Sequence, residues 1–174
     1  EKKKVVPFTA KEYKHIINNL DGCFRSDDVN EFWRAACTIS YWLGLRLGDI
    51  INLEWNSIKS KSIVVWTEKK DSRVELPLNH KLTGGDELLK LVRRLPCHGK
   101  HVFPKEMRDK INNPKKRHYF SQQFRELMNR TEIGGKSFHC FRHAFATRHK
   151  NLPIEDVARM LGHKSTSTTK GYTH

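Results

Sequence analysis

The chain of 174 residues lacks long apolar runs and paired cysteines. No stretch approaches the roughly 18 consecutive apolar residues that a membrane-spanning helix needs. The four cysteines are isolated, with no Cys-x-x-Cys pair, so we expect free thiols in a cytosolic, nucleoid-associated protein. Internal repeats and low-complexity segments are also missing. These absences and the length predict one domain with a substantial core.

Histidine is abundant, with ten copies, which raises the question of a zinc site. Residues 97–101 and 139–143 each contain cysteine and histidine near one another. Neither stretch has a partner pair at zinc-finger spacing, so a structural zinc is the minor alternative. We expect neither a metal nor a cofactor.

Acidic residues are fewer than basic ones: the chain has 19 Asp+Glu and 33 Lys+Arg. The formal net charge is +14, and the sequence pI is about 9.8. The surplus is spread over the whole chain and is not confined to one tail, which is typical of a polyanion binder. A basic surface that serves only solubility is the alternative. We find no aromatic strand signature of an RNA-binding module.

Hydrophobic periodicity predicts a mainly helical α+β fold with a small antiparallel sheet. We expect a capping box at residues 9–12 to open the first helix. Further helices are predicted at about 28–43 and 119–130, and others are predicted to begin after Gly44, at 83, at 138 and after Pro153. Strands are predicted at 62–67 and 73–77, with a short third candidate at 101–104. Residues 105–118 and 166–172 are polar, so we expect an exposed loop and a mobile segment there.

One arginine stands among apolar residues in the motif Gly-Leu-Arg46-Leu-Gly-Asp49. A charge in such a setting is costly unless it is paired. One interpretation is a weak surface ion pair between Arg46 and Asp49. The other is an arginine aimed at an anion and held by Asp49. The motif alone supports both equally.

Chemistry-bearing side chains gather near the C-terminus. His139 and Arg142 are three residues apart at the start of a predicted helix, so they share a face near its positive end. His163 follows a short predicted helix, and Tyr172 comes nine residues later. Arginine grips phosphate oxygens, histidine moves protons near neutral pH, and tyrosine is a nucleophile once deprotonated. Together they predict covalent chemistry on a phosphodiester.

The order and spacing of these motifs, with a lysine on the hairpin between them, resemble the catalytic domain of the tyrosine recombinase (phage integrase) family. The resemblance covers nearly the whole chain. It implies a site-specific DNA recombinase or integrase of bacterial, phage or mobile-element origin. Its expected partner is double-stranded DNA, on which it would assemble as a tetramer.

The resemblance also implies a role for each residue. Arg46 and Arg142 would grip the scissile phosphate, His139 and His163 would be further catalytic groups, and Tyr172 would be the nucleophile. Asp49 would orient Arg46. The family's hairpin lysine lies eight residues before the proline that ends the second strand, which gives Lys69, with Lys70 as second choice. Basic residues expected to bind DNA are Lys70, Arg73, Lys115, Lys116, Arg117 and Lys164.

The family usually adds a core-binding domain before the catalytic domain and a docking tail after it. We expect residues 1–174 to be one catalytic domain that lacks both, and to recombine DNA poorly alone. In the implied chemistry, His139 takes the proton of Tyr172, Lys69 protonates the leaving 5′-oxygen, and a 3′-phosphotyrosyl link forms without a metal.

Two alternatives remain open. Residues 144–172 have the look of a helix-turn-helix motif, so the chain could be a non-catalytic DNA binder. Such a protein would not need Arg46 or Lys69. A type IB topoisomerase would share the chemistry but relax DNA without exchanging partners. The short chain and the spacing from His163 to Tyr172 favour the recombinase.

Overall fold

The structure, a computed structural model, describes residues 5–67, 72–78, 88, 90, 91, 93–95 and 99–172. Its helices are α1 (Ala10–Asn18), α2 (Asp27–Leu43), α3 (Leu47–Ile51), α4 (Lys105–Asn112), α5 (His118–Arg130), α6 (Cys140–Arg148), α7 (Ile154–Met160) and α8 (Thr166–Lys170). The strands are β1 (Ser62–Thr67) and β2 (Ser72–Pro77), preceded by a short 3-10 helix at Trp55–Ser57. The predicted mainly helical fold with a small antiparallel sheet is confirmed.

Helix α1 begins with the predicted capping box. The Thr9 hydroxyl accepts a hydrogen bond from the Glu12 backbone N–H at 3.2 Å, and the Glu12 carboxylate accepts one from the Thr9 N–H at 2.8 Å. Two of the backbone donors that a helix start leaves unpaired are thereby satisfied. The helix buries Ile16 completely, so the cap fixes where the core-facing side begins.

Helix α2 forms the centre of the core and packs mainly against α6. Its fully buried side chains recur at helical spacing, and they include Trp33, Ala36, Ile39 and Leu43. The helix ends at Gly44, which adopts a left-handed φ of +67°. A side chain at this position would be strained, and glycine avoids that cost. Gly44 lies against Phe145, so the C-terminal end of α2 is beside α6.

The two strands pair antiparallel, with Ser62 opposite Pro77 and Trp66 opposite Arg73. Alternate residues such as Ile63 and Val65 are buried, whereas Trp66 is 65% exposed. The predicted third strand is reduced to a single bridge between Glu54 and His101. Pro104 offers no N–H to extend that pairing and starts α4 instead.

Our expectation of an exposed loop at residues 105–118 was wrong for most of that segment. Residues 105–112 form α4, because Met107 and Ile111 lie one turn apart and pack against the core. Only the turn at 113–117 remains of the predicted loop. The segment at 166–170 forms α8, because Ser165 caps it and Thr169 is fully buried. The helix predicted from residue 83 lies largely outside the described residues, although Leu88, Lys90, Leu91 and Arg93 are helical.

Helix α6 is anchored by aromatic residues from distant parts of the chain. The ring of Phe141 stacks on Phe8 with 4.1 Å between centroids, and Phe124 and Phe138 meet it edge-on. The Phe8 N–H also donates to the Cys140 carbonyl at 3.5 Å. The N-terminal segment thus fixes the start of α6. Among the described helices, none is long and apolar enough to cross a membrane.

Candidate active site

Arg142, in the first turn of α6, is only 2% exposed. Its Nη1 donates to the Gly44 carbonyl at 2.5 Å, and its Nη2 donates to the Leu161 carbonyl. These carbonyls mark the ends of α2 and α7, so one side chain joins three helices. Burial lowers the pKa of the Arg142 guanidinium to about 10, and the nearby charge of Arg46 adds to that effect. Arg142 therefore remains cationic at neutral pH.

His163 lies against Arg142 with a defined tautomer. The Arg142 Nη2 is 3.0 Å from His163 Nε2, and arginine has only donors, so Nε2 accepts. The other ring nitrogen, Nδ1, then carries the proton and donates to the Thr169 hydroxyl at 2.9 Å. In this arrangement Arg142 sets the tautomer of His163, and the hydroxyl of fully buried Thr169 accepts from Nδ1 and holds the ring.

Tyr172 meets His139 at hydrogen-bonding distance, with 2.6 Å between the hydroxyl and Nε2. His139 occupies the N-cap position of α6, three residues before Arg142. The Arg142 guanidinium carbon lies 5.9 Å from the centroid of the Tyr172 ring. A hydroxyl hydrogen-bonded to an imidazole nitrogen has the geometry of a nucleophile with its general base.

Arg46 occupies the N-cap position of α3, one turn from Asp49. Its Nη1 lies 3.9 Å from Asp49 Oδ2, and the two side chains are 22% and 7% exposed. This pair does not lie at a solvated surface. Arg46 lines one open cavity together with His139 and Arg142. Because two guanidinium groups repel each other, an anion in that cavity would be favoured.

The structure therefore brings Arg46, His139, Arg142, His163 and Tyr172 together from four separate parts of the chain, while their catalytic roles stay predictions. Lys69 and Lys70, the two candidates for the hairpin lysine, fall between residues 67 and 72 and so lie outside the described residues.

The other predicted DNA contacts are exposed basic residues. Arg73, on β2, donates to Glu75 at 3.2 Å. Lys115, Lys116 and Arg117 are exposed in the turn before α5, and exposed Lys164 directly follows His163. Their role in DNA binding remains a prediction.

Sequence reasoning missed two residues of the cluster. His143 stacks on Tyr172, with 4.0 Å between ring centroids and 12° between planes. It could have been found, because it follows His139 by four residues and so shares its helix face. Thr169 could not, since nothing in a run of Ser and Thr distinguishes the member that turns inward.

Metal binding and cysteine chemistry were the other possibilities for this site. Within the described ranges, no group of three or more His, Cys, Asp or Glu side chains is placed to hold a metal ion. Cys23, Cys37 and Cys140 are free and buried. Burial raises the pKa of the Cys37 thiol, which keeps it protonated and unreactive.

Comparison with known proteins gives consistent matches. The sequence model of the phage integrase family matches residues 7–174. The chain is similar to the tyrosine recombinase XerC of Caldanaerobacter subterraneus subsp. tengcongensis, with 26% identity over 171 residues, which cover 95% of this chain and 46% of that protein. The chain spans about half the length of the curated relatives it matches.

Two solved structures show the same fold. One is a lambda integrase dimer bound to a COC′ core site, with a TM-score of 0.75 and 19% identity over 100% of this chain and 49% of that one. The other is the catalytic domain of bacteriophage HP1 integrase, with a TM-score of 0.68 and 19% identity over 97% of this chain and 86% of that one.

Proposed function

This chain belongs to the phage integrase family, and on that premise we propose that it is the catalytic domain of a site-specific DNA recombinase or integrase. It would cleave and rejoin double-stranded DNA through a covalent link to Tyr172. The observation that carries the proposal is the 2.6 Å contact of Tyr172 with His139, beside the buried guanidinium of Arg142. The names of the relatives support it, since one is a tyrosine recombinase and another a DNA-bound integrase.

In the first step, the Tyr172 oxygen attacks the phosphorus atom of the scissile phosphodiester. The phenol of free tyrosine is almost entirely protonated at neutral pH, so the attack needs a base. His139 Nε2 lies where it can accept the hydroxyl proton as the new O–P bond forms. The bond from phosphorus to the 5′-oxygen breaks, and its electron pair leaves with that oxygen. The product is a 3′-phosphotyrosyl link and a free 5′ end.

Negative charge gathers on the non-bridging phosphate oxygens during this step. Arg46 and Arg142 line the cavity in which these oxygens would lie. Among the described residues, no acceptor lies within hydrogen-bonding distance of the buried Nε of Arg142, and an unsatisfied buried donor is costly. A phosphate oxygen would supply the missing acceptor. Because Nη1 and Nη2 of Arg142 already donate to the Gly44 and Leu161 carbonyls, the side chain needs little rearrangement before it stabilises the transition state.

The departing 5′-oxygen needs a proton, because an alkoxide is a poor leaving group. We assign this proton to Lys69, or to its neighbour Lys70, on the basis of the family resemblance. A 5′-hydroxyl from another strand could then attack the phosphotyrosyl link and release Tyr172. Rejoining to a new partner in this way conserves the bond energy and needs no nucleotide cofactor.

The helix-turn-helix alternative is less well supported by the arrangement of side chains. A recognition helix directs its polar residues outward, toward base edges. Here His163, in the α7–α8 connection, and Thr169, in α8, are buried and bonded to each other. They serve the cluster around Arg142. These contacts do not distinguish a topoisomerase from a recombinase, because both cleave DNA by the same chemistry.

The proposal is tested with duplex DNA that carries a candidate site and a nick beside it, so that the cleaved fragment diffuses away. The chain and its Tyr172→Phe variant are incubated with this substrate and separated on a denaturing gel. A covalent protein–DNA band formed only by the unmodified chain supports the cleavage chemistry. Transfer of the held strand to a second duplex supports recombination, whereas relaxation of a supercoiled plasmid without transfer indicates a topoisomerase. Tight binding without a band favours the helix-turn-helix alternative.

A further inference from the structure

His143 is a buried histidine that the cleavage scheme above does not use. It is 5% exposed and lies on α6, directly after Arg142. Its imidazole is nearly parallel to the Tyr172 ring, with 4.0 Å between centroids and 12° between planes. This is a stacked contact with one face of the phenol, a geometry that favours a fixed ring orientation.

The geometry of α6 explains how the Tyr172 side chain can be contacted at both its hydroxyl and its ring face. His139 and His143 are four residues apart, so their rings lie one above the other on the same face of α6. Their centroids are 5.3 Å apart with planes at 78°. The hydroxyl of Tyr172 contacts the first ring, and its face contacts the second. A single hydrogen bond leaves a phenol free to swing about the bonded oxygen, and the stacked ring removes that freedom.

Tyr172 depends on such contacts because its own backbone is weakly supported. It follows the five-residue helix α8, and its N–H donates to the Thr169 carbonyl at 2.8 Å. The ring of His163 lies 5.1 Å away at 53°, which gives an inclined contact on another side of the phenol. A five-residue helix restricts the attacking oxygen of a side chain beyond it poorly, and small errors in the placement of a reacting atom slow a reaction strongly.

We propose that His143 is a positioning residue for the nucleophile: its ring stacks on Tyr172 and holds the hydroxyl against His139, ready for in-line attack. The role requires a flat ring and does not require a ring nitrogen. This inference rests on the proposed function, because it assigns a task within the same cleavage step.

The first test compares His143→Ala with His143→Phe in the full chain. Cleavage of the nicked duplex is followed under single-turnover conditions at saturating DNA, and DNA affinity is measured separately. We expect His143→Ala to form the covalent complex about 10- to 100-fold more slowly, with affinity changed less than about threefold, because misplaced reacting atoms lower the rate and not the binding. The flat ring of His143→Phe is expected to restore the rate to within about threefold.

A matched control separates positioning from general destabilisation. His149 is another buried histidine, 1% exposed, just beyond the end of α6 and against Phe145. His149→Ala should lower the melting temperature as His143→Ala does, yet keep the cleavage rate well below that temperature. If His143→Phe folds and binds DNA but cleaves as slowly as His143→Ala, a ring nitrogen is required and the proposal is overturned. Unchanged cleavage in His143→Ala overturns it as well.

A sulfur-substituted substrate tests whether His143 acts on the leaving group instead. Replacing the bridging 5′-oxygen by sulfur gives a leaving group that needs no proton. If His143 positions the nucleophile, His143→Ala stays slow on this substrate relative to the unmodified chain. Recovery of the rate would show that His143 supplies a proton, which contradicts the proposal.

A final measurement works without any cleavage activity. Tyrosine nitration by tetranitromethane, mapped by mass spectrometry, reports how accessible each phenol is. His143→Ala should increase nitration of Tyr172 relative to Tyr119, and His143→Phe should not. If the unmodified chain never forms a covalent complex, the proposed function fails, and this comparison still decides whether His143 holds Tyr172. Equal nitration of Tyr172 in all three proteins would overturn the positioning role.

Discussion

At the scale of single residues, the cluster combines one buried charge with a set of oriented neutral groups. Arg142 stays protonated although burial lowers its pKa to about 10. The protein offsets that burial with carbonyl oxygens from Gly44 and Leu161, and within the described part of the chain no carboxylate is hydrogen-bonded to Arg142. A cation held by neutral acceptors keeps its charge available to an incoming anion. We regard this as the physical basis of the proposed phosphate site.

The tautomer of His163 gives the first prediction. Thr169→Val removes the hydroxyl that accepts from Nδ1 but keeps the side-chain volume. The buried Nδ1–H then lacks its acceptor, which should cost about 1–3 kcal/mol in the free energy of unfolding. The His163 ring would then be held by the hydrogen bond from Arg142 and not by Thr169, so we expect cleavage to slow about tenfold.

Urea denaturation and single-turnover cleavage measure the two effects. Thr168→Val is the matched control, because Thr168 is the exposed neighbour in the same helix. Its stability and rate should stay close to those of the unmodified chain. Equal behaviour of the two valine variants would show that the hydroxyl of Thr169 does not fix His163.

At the scale of elements, the C-terminal end of α2 is closely packed against α6 and the end of α7. A Cβ on Gly44 would lie 2.7 Å from Phe145 Cδ1 and 3.0 Å from Leu161 Cδ2, and the backbone there has φ +67°. Gly44→Ala should therefore lower the free energy of unfolding by about 2–4 kcal/mol, from the strained conformation and the overpacking together.

Gly48, in α3, offers the comparison. Its Cβ would have only Ile111 Cγ1 nearby, at 4.0 Å. Gly48→Ala should stabilise the fold by about 0.5–1 kcal/mol, because alanine loses less backbone freedom in a helix. Thermal unfolding of both variants checks this pair. A Gly44→Ala protein as stable as Gly48→Ala would refute the packing described for this junction.

The start of α1 is joined to the segment before α6 by a partly buried ion pair. Lys136 Nζ donates to Glu12 Oε2 at 2.6 Å and to the Pro7 carbonyl at 3.0 Å. Burial raises the pKa of the Glu12 carboxyl, but the hydrogen bonds from Lys136 and Thr9 outweigh it, so the pKa lies below the usual value. The carboxylate thus stabilises the fold above the pKa of the unfolded chain, near 4.3.

That stabilisation is lost as the pH falls through the lower pKa of the folded state. Glu12→Gln should cost about 1–2 kcal/mol at pH 7 and progressively less toward pH 3, where the carboxyl is protonated. Denaturation at several pH values measures the difference. Glu126→Gln, which breaks an exposed pair with Arg130, should cost less than about 0.5 kcal/mol at pH 7. A pH-independent loss in Glu12→Gln would contradict this account.

Much of the site could be predicted from the sequence, because the side chains that carry the chemistry are fixed by local spacing. His139 and Arg142 share a face of one helix, so three residues of separation were enough to pair them. The acceptors around Arg142 could not be predicted. Gly44 and Leu161 contribute carbonyl oxygens, which every residue has, and only the packing of α2, α6 and α7 selects these two.

Polar helices were the weaker part of the fold prediction. The sequence of α4 is mostly charged, and Met107 and Ile111 are its apolar side chains that pack against the core. Helix α8 consists of Thr, Ser and Lys, residues with modest helix propensity, and it forms because Thr169 is drawn inward by His163. In both cases tertiary contacts determined the local structure.

At the scale of the whole molecule, the surplus of basic residues predicts how binding should respond to salt. If the net charge of +14 serves DNA, the logarithm of affinity should fall linearly with the logarithm of salt concentration, with a slope of about −0.9 per phosphate contact. Replacing Lys115, Lys116 and Arg117 by Gln should make the slope shallower by up to about 2.7 if all three contact phosphates.

Fluorescence anisotropy with labelled duplex at several salt concentrations measures the slopes. A charge-matched variant replaces exposed Lys11, Lys14 and Arg25 by Gln. If the turn before α5 is a DNA contact, the first variant should change the slope more than the second. Equal changes would indicate a diffuse attraction, and a flat salt response would argue against a DNA partner.

The most direct measurement asks which tyrosine becomes attached to DNA. The chain has four tyrosines, and the proposed cleavage reaction places the covalent link on Tyr172. The chain is trapped on the nicked duplex, digested with protease and nuclease, and its nucleotide-bearing peptide is identified by mass spectrometry. We expect a 3′-nucleotide on the Tyr172 peptide, absent from Tyr172→Phe. A nucleotide on another residue, or a covalent complex that persists in Tyr172→Phe, would contradict the central claim.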